Sequence, residues 1–123
     1  MIYIISALLV VVTTLIILIK LNFKYSFSIA AGASFMFTLI ASISLSQNYT
    51  YNLIPKLNDG GIAISNRLAY LIIGEDRWSI DKFKWYFETS ITLSLLIIQL
   101  LISCLLYEVR RGELKQNNIT TPR

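Results

Sequence analysis

The stretch IYIISALLVVVTTLIILI, from Ile2 to Ile19, carries no charged side chain. As a helix it would extend roughly 27 Å, against a hydrocarbon core of roughly 30 Å. It is therefore expected to span a membrane. A cleaved signal peptide is the competing reading. No basic residue precedes the run, it outlasts the usual apolar region of about 7 to 15 residues, and no A-x-A site follows it.

Two further runs share this character. Tyr25 to Ser46 is free of charge and holds Ala30, Ala31, Gly32, Ala33 and Ser34, small enough for another backbone to come close. Thr89 to Tyr107 is dominated by Leu and Ile and is closed by Glu108, Arg110 and Arg111. The composition agrees: 123 residues, 55% hydrophobic and only 15% charged, are too apolar for a water-soluble fold of this length. The expected fold is an all-α integral membrane protein built as one domain over residues 1–123, with transmembrane helices at about 2–19, 25–46 and 89–107.

The segment 47–88 reads differently. Gln47 to Gly61 contains Pro55, Asn58, Asp59 and the Gly60-Gly61 pair, which signal a loop. Ile62 to Ile73 is apolar but too short to cross a bilayer and holds Asn66 and Arg67, so a short interfacial helix is expected there. Its apolar face would be Ile64, Leu68, Leu71 and Ile72. Ser79 is an expected N-cap, with Asp81 in the first turn of a helix that begins near Ile80 and continues through the third span. Trp78, Trp85 and Tyr86, with Phe83 and Phe87, are then expected at headgroup depth as interfacial anchors. The tail 108–123 is polar, and from Gly112 onward is expected to fray.

Charge placement predicts orientation. Lys20 and Lys24 lie between the first two runs, and Arg110, Arg111 and Lys115 follow the third. The middle segment balances Lys56, Arg67, Arg77, Lys82 and Lys84 against Asp59, Glu75, Asp76, Asp81 and Glu88. Basic flanks stay in the cytoplasm. Three spans then put the N-terminus and segment 47–88 outside and the tail in the cytoplasm, with a bacterial inner membrane as the expected setting. Of the two N-x-T sequons, at Asn48 and Asn118, this topology would expose only Asn48 to glycosylation.

Little chemistry is available. The chain has no His and a single Cys, Cys104, so imidazole metal sites, haem ligation, triads and internal disulfides are excluded. The acids Glu75, Asp76 and Asp81 lack calcium-loop spacing, and Gly60-Gly61 lacks the setting of a phosphate loop. The net charge of +4 flanks the spans and forms no nucleic-acid patch. No cofactor, metal, small-molecule substrate or nucleic acid is expected, and no enzymatic role.

Polarity within the spans falls into one stripe per helix at spacings of three, four or seven: Ser6 and Thr13; Ala30, Ser34, Thr38 and Ala41; Thr92, Gln99 and Ser103. Gln99, mid-span, has an amide that lipid cannot satisfy and is expected to face another helix. Gly32, Ser34, Thr38, Thr92, Gln99 and Ser103 are the expected helix-packing residues, and Arg67 a contact on the outer segment. Besides membrane lipids, the expected partner is another membrane protein or a second copy. The expected function is helix-helix association, as an accessory subunit, a regulator or an immunity-type protein. The alternative is an oligomeric pore or lesion former. The three-span arrangement with a basic tail resembles that of class I phage holins, although no motif is shared and the middle segment is longer than that likeness implies.

Overall fold

The computed structural model describes residues 2–54, 61–75 and 77–120, all in helices or in the segments joining them. Four helices follow in order: α1 (Ile2–Lys20), α2 (Ser26–Leu53), α3 (Arg67–Ile73) and α4 (Ile80–Thr120). Three of them, α1, α2 and α4, are long and apolar enough to cross a membrane. The turn signals Pro55, Asn58, Asp59 and Gly60, and the acid Asp76, lie outside the described residues.

The frame is the pair α2 and α4, which pack along most of their length, while α1 leans on α2 and α3 touches both α2 and α1. Moves from Lys24 to Ser28, Ser42 and Tyr49 are matched by equal and opposite moves from Gly112 to Glu108, Ser94 and Phe87. The pairing is antiparallel and keeps one register from end to end. On α4 the residues turned inward are Phe83, Phe87, Ser90, Ser94, Ile97, Leu101, Cys104 and Glu108, alternately four and three apart. On α2 they include Ser28, Ala31, Ser42, Leu45 and Asn52. A period of 3.5 keeps both seams facing each other over many turns, and small side chains let the backbones approach.

Several boundaries differ from the sequence expectation. The second helix does not stop near Ser46 but runs to Leu53, taking in Gln47 to Asn52, which read as loop. The reason is tertiary: Asn48 and Asn52 are held by the chain beyond, as described below. The expected helix over Ile62–Ile73 is shorter, α3 alone, because Ile62 to Ser65 is not helical. Asn66 starts α3, its side chain accepting from the Ala69 N–H at 2.8 Å, and Gly74 ends it at φ 84°, a conformation that favours glycine. The face of α3 turned inward is Ala69, Ile72 and Ile73, with Leu68 and Ile64 half-buried beside it. These residues meet Ala41, Leu45 and Phe83 in a small core at one end of the bundle.

The start of α4 is as expected: Ser79 Oγ accepts from the Lys82 N–H at 3.1 Å, and Asp81 lies in the first turn. Its end is not. The polar tail from Gly112 continues as helix to Thr120. Asn48, the sequon that topology would leave open, is fully buried, so its amide is closed to glycosylation in this fold.

Candidate functional site

The polar groups of the spans have three different fates. Most hydroxyls bond to their own helix. Thr13 donates to the Leu9 carbonyl, Ser34 to Ala30, Thr38 to Phe35, Thr92 to Glu88 and Ser103 to Gln99, all within 3.0 Å. This back-bonding leaves them little to offer a neighbour.

A second group ties the helices to one another. Tyr25, which precedes α2, supplies no side-chain cap, and the first turn of α2 contains no acid. Glu108 provides both from the far end of the chain. Its carboxylate accepts from the N–H of Phe27 at 3.0 Å, the N–H of Ser28 at 3.3 Å and the Ser28 hydroxyl at 2.5 Å. At 7% exposure it is nearly buried. An anion at a helix N-terminus meets unpaired amides and the positive end of the dipole.

The opposite end of α2 carries a ladder of amides. Asn52 donates to the Ala63 carbonyl at 2.8 Å and accepts from the Ala63 N–H at 3.0 Å, copying both bonds of a strand partner. Asn48 Oδ1 accepts from the Ser65 N–H at 2.8 Å, and Asn66 Nδ2 donates to the Ser44 carbonyl at 3.0 Å. Residues four apart on a helix therefore serve a non-helical segment whose backbone would otherwise be bare. The Nδ2 of Asn48 is buried without a partner among the described residues. Ser28 and Asn48 lie about 30 Å apart along α2, a separation equal to the thickness of a hydrocarbon core.

Gln99 belongs to neither group. It is exposed on α4, off the seam toward α2, and its amide has no hydrogen-bond partner among the described residues. Thr92 and Ser103 are exposed on the same helix. Of the six expected packing residues, the structure brings together only Ser34 and Thr38, which line an apolar groove of about 340 Å³ between α1, α2 and α4. A Cβ at Gly32 would meet no atom within 4 Å, so no backbone presses on that glycine. The α4 residues that do meet α2, Ser90, Ser94 and Glu108, were not singled out by the sequence. Their signal is the unbroken alternation of four and three, which becomes readable once Phe83 is taken as its first member.

At the end of the bundle where α4 begins, Trp85 is exposed and stands edge-on to Tyr86, with 5.1 Å between ring centroids. Trp78 donates its indole N–H to the Gly74 carbonyl at 3.1 Å, which pins the α3–α4 connection. Arg67 is exposed as the first residue of α3. The Tyr70 hydroxyl donates to Glu75, and that bond, with the nearby carboxylate, raises its pKa above the ordinary tyrosine value. Among the described residues no cluster of potential metal ligands occurs. No known protein family, curated protein or solved structure matches the chain.

Proposed function

We propose that this chain is a multi-pass protein of the cell membrane, without enzymatic activity, that acts by helix-helix association with another membrane protein. Accessory subunit, regulator and immunity-type protein are the forms this role takes. The observation that carries the reading is Gln99. Its amide has two donors and an acceptor, sits in the middle of an apolar helix, and is exposed without a hydrogen-bond partner among the described residues. Lipid satisfies none of those groups, whereas a polar atom on a partner helix does.

The orientation proposed is N-terminus outside and C-terminus in the cytoplasm, supported by the basic flanks Lys20, Lys24, Arg110 and Arg111. Segment 47–88, with Arg67 at its exposed turn, then lies outside where a partner's outer surface is in reach. A water-filled pore receives less support, because the hydroxyls that would line it are already bonded to their own helix carbonyls.

The test is a photoreactive residue at position 99 in native membranes, with captured proteins identified by mass spectrometry. A distinct membrane protein is the expected adduct. Self-adducts alone would shift the assignment to a homo-oligomer, and an absence of protein adducts would end the proposal. In parallel, Gln99→Leu is expected to weaken the association by about 0.6 kcal/mol while leaving insertion intact.

A further inference from the structure

At the end of the bundle where α1 turns into α2, a cleft of about 680 Å³ opens between that turn and α4. We propose that it binds the phosphate of an anionic phospholipid headgroup, with the lipid's acyl chains running down the apolar side toward the bilayer. Lys24 and Arg111 supply the charge.

The cleft is built by three local features. Asn22 at φ 53° reverses the chain after α1, with the Phe23 N–H donating to the Leu18 carbonyl at 3.0 Å, and this brings Lys24 back toward α4. Gly112 receives it: a Cβ there would lie 3.2 Å from Lys24 Cε and 3.5 Å from Nζ. The lysine stem thus crosses α4 where side-chain bulk is missing, and Lys24, its ammonium 5.3 Å from the Tyr25 ring centroid, lines the cleft together with Arg111. Neither cation has an ion-pair partner among the described residues.

Glu108 lines the same cleft and would oppose a phosphate if its charge were open. It is turned instead into the N-terminus of α2, where two amides and a hydroxyl take it up. Lys24 and Arg111 are left as the uncompensated charges of the cleft. The apolar wall includes Phe23 and Phe27, which are half exposed, at 55% and 49%. The level fits as well, since Lys24 and Arg111 lie beyond Ser28 and Glu108, at the border of the apolar span. A phosphate with attached acyl chains matches both walls, whereas free phosphate matches only one.

The experiment is native mass spectrometry of the full chain released from nanodiscs holding equal parts phosphatidylglycerol and phosphatidylcholine. The native chain is expected to keep one phosphatidylglycerol in preference to phosphatidylcholine. With roughly a factor of five for each basic residue, Lys24→Gln with Arg111→Gln should lower that preference about 25-fold. Lys84→Gln, at the other end of α4, should leave it unchanged. Gly112→Val keeps every charge but pushes the lysine stem aside, and it should also lower the preference, with helix content checked by circular dichroism. An equal preference in the double variant, or in a folded Gly112→Val, would overturn the proposal. So would displacement of the lipid by excess inorganic phosphate, which would mark the site as one for the free anion.

Discussion

Glu108 anchors the fold because it satisfies the start of a helix that has no cap of its own. Glu108→Ala leaves the amides of Phe27 and Ser28 without an acceptor in a nearly buried place and is expected to cost about 2 kcal/mol of stability. Glu108→Gln keeps an acceptor and loses only the charge, so about 1 kcal/mol is expected. Unfolding in mixed detergent micelles reads both, and two native-like variants would show that Glu108 is no anchor. In the sequence Glu108 is visible only as the acid that closes an apolar run. Its role depends on a backbone some eighty positions earlier, for which no local pattern exists. Gln99 is the opposite case, since a lone amide in an apolar helix is legible by itself and the structure adds the direction in which it points.

Among the elements, α2 and α4 show how one helix can carry two unlike faces. Ser94 sits on the seam, its hydroxyl 3.3 Å from that of Ser42, whereas Thr92 is exposed. Ser94→Leu forces bulk between two close backbones and is expected to destabilise the bundle by about 2 kcal/mol. Thr92→Leu should change stability by no more than about 0.5 kcal/mol. The same micelle titration compares them, and equal effects would contradict the seam. The existence of three long helices and the start of α4 at Ser79 were legible, because charge-free length and capping chemistry are local. The continuation of α2 to Leu53 was not. Asn and Gln favour loops when their amides are free, and here Asn48 and Asn52 are taken up by Ala63 and Ser65.

For the molecule as a whole, the proposed membrane sidedness rests on where the basic residues lie. Reporters fused after Asn58 and after Lys115 are expected to read opposite sides of the membrane, and matching signals would overturn the three-span arrangement. Composition and the spacing of charges determined by themselves that the chain has three apolar helices and a distinct middle segment, and that it carries no His and one Cys, because hydropathy and residue counts act wherever the residues lie. Tertiary structure alone decided which faces are spent and which are free. The register of α2 on α4 places Ser90, Ser94 and Glu108 inside and leaves Gln99 outside, and the reversal at Asn22 lays Lys24 across Gly112. Those outcomes hinge on contacts between residues far apart in the chain, and periodicity within one helix names its stripes without saying which neighbour, if any, will cover them.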